Sequence, residues 1–256
     1  HYLVDVLEPE EEFNVVKFQR LARQAAEEIY SRNKIPIVVG GTGFYIQALL
    51  YDIDFTENDG DISLRQELEK NAEEKGPEYL HQLLQEVDPQ AARDLHPNNI
   101  KRVIRALEFY RQTGQKISEH NRKERAKESP YRYAYFVLTD DRARLYDRID
   151  RRVDAMMEAG LLEEVRSLRD RGVKRTCTSM QGLGYKELYA CLEGECSLDG
   201  AVRIIKRDTR HFAKRQLTWF RRERDVIWLD KGRFLQDEGR ILQEMLRCLK
   251  EKQITA

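Results

Sequence analysis

Apolar residues recur every three to four positions along most of this chain, and three short apolar runs break that rhythm. Val15, Phe18, Leu21, Ala22, Ala25 and Ile29 share one helical face, which predicts a helix over residues 13–32. Residues 35–39 (IPIVV) then read as a short strand buried on both faces, with Pro36 near its start, where a missing N–H is tolerated. Gly40-Gly41-Thr42-Gly43 turns the chain, and residues 44–50 open a second helix. Helix, buried strand, glycine turn and helix make the rhythm of an α/β fold with a parallel sheet.

From residue 52 to 61 the pattern collapses into polar and acidic positions (DIDFTENDGD), the expected end of a first domain at about residue 60. Residues 64–75, 77–87, 90–95 and 100–113 are successive helical patterns without a convincing strand, so residues 61–130 read as a helical insertion. The sheet resumes at 133–138, and Thr139-Asp140-Asp141 caps a long helix over about 142–160. A helix over 161–171, a loop over 176–184, a short helix over 186–192 and a long one within 198–224 follow. A last strand at 226–229 and a closing helix over 235–252 complete a second core segment, residues 131–256.

Charge sharpens this picture. The 256 residues carry 45 Lys and Arg against 45 Asp and Glu, yet the balance is uneven along the chain. The first 100 residues hold nine basic and twenty acidic side chains, and the remainder thirty-six and twenty-five. Residues 203–224 (RIIKRDTRHFAKRQLTWFRRER) alone hold nine cations against two acids, with no Gly or Pro to interrupt a helix. Arg203, Arg207, Arg210, Lys214 and Arg221 fall on one stripe of that helix, with Ile205, Phe212, Trp219 and Phe220 opposite. Such a stripe suits a polyanion, nucleic acid being the commonest; a solvated face balanced by neighbouring carboxylates is the alternative.

No apolar run approaches the roughly 20 residues that span a bilayer, and the chain opens on His1 and an acidic cluster rather than a secretory signal. Four cysteines without C-x-x-C spacing read as reduced thiols of a cytoplasmic protein, and no metal-ligand set is expected.

Four features could carry chemistry. The glycine turn, at a strand end and a helix start, can bring backbone N–H groups and the Thr42 hydroxyl to a phosphate. A tight turn requiring φ > 0, with Thr42 as a helix cap, explains Gly40, Gly41 and Gly43 equally well. Arg148 and Arg152 lie one turn apart beside Ile149, Val153, Met156 and Met157, placed either to reach a diphosphate or to pair with Asp147, Asp150 or Asp154. Lys101, Arg102 and Arg105 crowd a helix start, where cations oppose the dipole. Gln181, Gly182, Tyr185 and Lys186 lie in a glycine-containing segment able to hydrogen-bond and stack.

In order, IPIVVGGTGFYIQALL, HPNNIKRVIRALE, LYDRIDRRVDAMMEAGLLEEV, SMQGLGYKE and TRHFAKRQLTWFRR resemble the tRNA dimethylallyltransferases, also called tRNA isopentenyltransferases, over nearly the whole chain. The resemblance implies transfer of a dimethylallyl group from dimethylallyl diphosphate to N6 of the adenosine 3′ of the anticodon. It implies a P-loop-kinase-like α/β core with a helical insertion gripping the anticodon stem. Thr42 and Arg152 match the residues that assist diphosphate departure, and Arg65, Lys101, Arg102 and Arg105 match positions touching tRNA. Gln181 to Lys186 and the helix carrying Arg210, Lys214, Arg215, Gln216, Trp219 and Arg221 match its RNA side. Mg²⁺ on the diphosphate and a monomer acting on the anticodon stem-loop complete the expectation.

The family's P-loop and its general-base Asp precede the first matching block, so a segment upstream of His1 is expected to supply them. Gly182 stands where Ala is more usual, and Phe44 where Leu or Met is common. Prenylation of free adenine nucleotides and non-catalytic RNA binding are the rival readings. A helical insertion and a basic stripe have no use on so small a substrate as a nucleotide.

Overall fold

A computed structural model describes residues 1–55 and 62–255. The elements run α1 (Val15–Ser31), α2 (Gly43–Leu50), α3 (Ile62–Lys75), α4 (Pro77–Val87), α5 (Pro89–Asp94), α6 (Ile100–Thr113) and α7 (Ile117–Ala126). Then come β1 (Tyr135–Thr139), α8 (Arg142–Glu158), α9 (Leu161–Asp170), a 3₁₀ turn (Thr178–Gln181), α10 (Tyr185–Leu192), α11 (Leu198–Phe220), β2 (Val226–Asp230) and α12 (Glu238–Glu251). They divide into two compact units, His1–Ile46 with Tyr131–Ala256, and Gln47–Pro130.

In the first unit, α1 begins where the Asn14 side chain accepts the Lys17 N–H at 2.9 Å, satisfying one of the free donors of a helix start. Phe18 stacks on Tyr45 with ring centroids 4.9 Å apart. The Asp141 carboxylate caps α8 by accepting from Ala143 and Arg144 N–H. β1 and β2 pair in parallel, Tyr135 opposite Val226 through Thr139 opposite Asp230. The helices between them bury Val153, Val165, Val173, Met180, Leu188 and Ile205 in one core. α10 closes on a reversal in which Gly194 (φ 80°) and Glu195 N–H bond back to Cys191 and Ala190 carbonyls.

Residues 35–39, expected as a buried strand, form none. Ile37 is 84% and Val39 90% exposed. A strand hidden on both faces needs ladder partners beside it and layers above and below, and β1 pairs with β2 rather than with this segment. The described structure is therefore mostly helical, with a small parallel sheet.

The second unit is helical. Leu68, Leu80, Leu84, Val103, Ile104 and Leu107 form its core, within three of the spans the sequence pattern marks as helical. Asp88 ends α4 and caps α5. Its carboxylate, 1% exposed, accepts from Ala91 N–H at 3.0 Å, Ser118 N–H at 2.9 Å and the Ser118 hydroxyl at 2.7 Å. α7 has no counterpart in the sequence pattern; its apolar stripe is thin, and Ser118 of its first turn is held by that buried carboxylate. The break expected at residues 52–61 lies largely outside the described residues.

Candidate functional site

The Gly40–Gly43 turn meets the C-terminal half of α11. Gln216 Nε2 donates to the Gly41 carbonyl at 2.9 Å, and the Trp219 indole lies over Gly43. Phe44 meets the same indole edge-on, centroids 6.3 Å apart. A Cβ on Gly43 would overlap the indole, and one on Gly41 the Gln216 amide, whereas Gly40 faces open space. None of the three has positive φ, so Gly41 and Gly43 are required by close approach and not by turn conformation. Thr42 is exposed, and its carbonyl accepts from Tyr45 and Ile46 N–H at the start of α2. Trp219 Nε1, beside Gly43, is buried without a hydrogen-bond partner among the described residues, a donor available to an acceptor at the turn.

The cationic stripe of α11 is divided. In its N-terminal half Lys206 pairs with Asp154 and Arg210 with Asp150, each at 2.5 Å, joining α11 to α8. Arg207 bonds Asp208, whose pKa falls below the ordinary carboxylate value chiefly through that hydrogen bond. Toward the C-terminus, His211, Lys214, Arg215, Thr218, Trp219 and Arg222 line a groove of about 410 Å³. Lys214, Arg215, Arg221 and Arg222 are exposed there. Phe212, expected in the core, is 37% exposed, with the Arg215 guanidinium 5.7 Å from its ring centre. The balanced-face alternative thus describes Lys206, Arg207 and Arg210, while Arg203, exposed and without an ion pair among the described residues, and the cations toward the C-terminus keep the open face. Arg210 belongs to the balanced half.

Arg148 approaches neither Asp147, Asp150 nor Asp154 but Asp140, at 3.5 Å. The Asp140 side chain is 1% exposed at the end of β1 and also meets Arg144 and Gln236. Arg152, one turn along α8, is exposed and has no ion-pair partner among the described residues. Of the two arginines it is the one free to meet an anion.

In the 178–186 segment, Gln181 Nε2 donates to the Arg175 carbonyl at 2.6 Å. Gly184 (φ 98°) donates its N–H to Glu187 Oε2 at 2.8 Å, opening α10. The Tyr185 hydroxyl bonds Glu164, and its pKa is pushed up to about 12 by burial and by that carboxylate. Lys186 lies 3.4 Å from Glu187. Gln181, Lys186 and Glu187 share a second groove, of about 310 Å³, with Arg175, Cys196 and Asp208. A Cβ at Gly182 would meet only ordinary contacts at 3.5 Å, so the alanine usual there would fit.

Within the helical unit, Lys101 and Arg102 are exposed at the start of α6. Arg65 Nε lies 3.4 Å from the buried Glu108. Burial lowers the Arg105 pKa, while Glu108 acts to raise it.

Sequence spacing missed Asp140, Asp150, Asp154 and Glu108 as partners of these cations. The one available signal was paired periodicity: Asp150 and Asp154 are four apart, as are Lys206 and Arg210, matching two helices that cross antiparallel. No described helix is long and apolar enough to cross a membrane.

The family described as IPP transferase matches residues 1–223. A tRNA dimethylallyltransferase of Lachnoclostridium phytofermentans is 61% identical over 254 residues, 99% of this chain and 81% of that protein. The crystal structure of the full-length tRNA isopentenylpyrophosphate transferase of Bacillus halodurans is similar at TM-score 0.66 and 40% identity, covering 99% of this chain and 79% of that one. A eukaryotic dimethylallyltransferase acting on tRNA is similar at TM-score 0.72 and 29% identity, over 90% of this chain and 60% of that one.

Proposed function

The chain belongs to the IPP transferase family, and from that premise we propose that it transfers a dimethylallyl group from dimethylallyl diphosphate to N6 of the adenosine 3′-adjacent to a tRNA anticodon. One observation carries the reading: the glycine turn is seated on Gln216 and Trp219 of the same helix that bears the open cationic face. A turn suited to a diphosphate and a surface suited to RNA therefore share side chains.

In the reaction the N6 lone pair forms a bond to the allylic carbon, the carbon–oxygen bond to diphosphate breaks, and N6 gives its proton to the general-base carboxylate that the family resemblance implies. Negative charge grows on the departing oxygen. Thr42 and Arg152 are proposed as the donors to it, and losing one such donor typically costs roughly 3–4 kcal/mol. Lys214, Arg215 and Arg221 would meet RNA phosphates, with Gln181 and Lys186 on the same substrate. The target base must leave its stack to be reached, and the exposed Phe44 ring at the start of α2 is suited to hold it. Lys101, Arg102, Arg105 and Arg65 of the helical unit are proposed to meet the anticodon stem.

Mg²⁺ belongs to this reading as a companion of the diphosphate oxygens. The described residues form no group of three His, Cys, Asp or Glu that could hold it, so they supply no cage, and no step is derived through the ion. A tRNA substrate would place the work in the cytoplasm.

The test is transfer of labelled dimethylallyl to an anticodon stem-loop, with AMP as competitor. Arg152→Ala should lower turnover by about a hundredfold or more while RNA affinity holds. No prenylated RNA, or AMP consumed in preference, would refute the assignment. An equal loss of rate and of RNA binding would refute the role of Arg152.

A further inference from the structure

Glu108 is the least expected charge in the helical unit. It is 4% exposed, within a stretch of α6 whose neighbours Val103, Ile104, Ala106, Leu107 and Phe109 are all buried. Removing a carboxylate from water costs several kcal/mol, and an apolar side chain of similar volume often serves stability as well or better. The observations around Glu108 point to what the charge holds. Arg65 of α3 approaches Glu108 Oε1 through its Nε, at 3.4 Å, and Glu69 through the same atom, at 3.8 Å. Both carboxylates sit on the Nε edge, and the Arg65 side chain is still 53% exposed. Exposed to that extent, the guanidinium keeps N–H donors for a further acceptor such as a phosphate. Arg105 lies one turn before Glu108 on α6 and Lys101 one turn before that, so 101, 105 and 108 share a face. Arg105 is half-buried between the two opposed influences of Glu108 and Arg65.

We propose that Glu108 is a positioning residue: it fixes Arg65 across α3 and α6 so that Arg65 and Arg105 present one ordered cationic edge to the RNA backbone. The inference rests on the RNA-binding reading above. Glu108 touches no RNA. It converts two mutually repelling, flexible cations into a preorganised pair, which lowers the entropy lost on binding.

The sign of one measurement separates this from simple charge. Removing a carboxylate raises net positive charge, and charge alone then tightens RNA binding. The positioning role requires the opposite. In the intact protein, Glu108→Gln should weaken anticodon stem-loop binding by about tenfold and flatten the dependence of log K on log salt by about one unit. The loss should appear in KM for RNA and not in kcat. Arg65→Lys is exposed and keeps the charge while removing the fork; it should weaken binding similarly, and adding Glu108→Gln to it should cost little more. Unchanged or tighter binding by Glu108→Gln, fully additive losses, or an Arg65→Lys protein that binds as the wild type would overturn the proposal. If the wild-type protein itself fails to bind the stem-loop, the functional reading falls as well.

Discussion

Gly43 and Gly182 look alike in the sequence, each a glycine in a segment with candidate chemistry, and the structure separates them. At Gly43 a methyl group would have to displace the Trp219 indole, a rigid ring already packed on Phe44; at Gly182 it would meet nothing closer than 3.5 Å. Gly43→Ala should therefore shift tryptophan fluorescence and lower prenyl transfer by at least tenfold, while Gly182→Ala changes neither. Equal behaviour of the two variants would refute the close-approach account. Asp88 offers a prediction on stability. Burial raises its pKa, but the N–H groups of Ala91 and Ser118, the Ser118 hydroxyl and the charge of Lys116 bring it below the ordinary value. A carboxyl whose pKa is depressed by folding stabilises the fold above its unfolded pKa of about 3.9 and ceases to as pH falls through the folded value. Asp88→Ala should cost about 2 kcal/mol near neutrality, from the lost cap and the unpaired Ser118 groups. In denaturant titrations the gap from wild type should narrow below pH 4; a gap independent of pH would count against the charged cap.

At the scale of the element, α11 shows what periodicity can and cannot tell. Its presence, its cations and its buried Ile205 and Phe220 were legible in the sequence, because a helix records its own faces every 3.6 residues, although it ends at Phe220 rather than running on to Arg224. Which cations are neutralised was not legible, because Asp150 and Asp154 lie fifty to sixty positions away and only packing brings them to Arg210 and Lys206. The same limit explains residues 35–39: their apolar run is a sound strand signal, yet a strand exists only with a partner, and partners are not local. It explains Arg148 as well, whose partner Asp140 lies on the far side of a helix cap. The consequence for α11 is a contrast in mutant behaviour. Lys214→Glu should weaken RNA binding about tenfold and reduce its salt slope by about one, with no change in Tm. Arg210→Gln should leave RNA affinity nearly intact and lose about 1 kcal/mol of stability, or 2–4 °C. Interchange of the two outcomes would show that the balanced and open halves had been assigned the wrong way round.

For the molecule as a whole, the helical unit was legible as four of its helical spans, with α7 missed, whereas the site depended on contacts between distant segments. The glycine turn and α11 are about 175 positions apart, yet Gln216 fills the space beside Gly41 and Trp219 the space over Gly43. Neither side of that seam can be altered independently of the other. A genetic selection begun from a disabled Gly43→Ala strain should thus recover revertants that trim the indole at position 219 to a smaller ring, and changes elsewhere along the same helix should not rescue it.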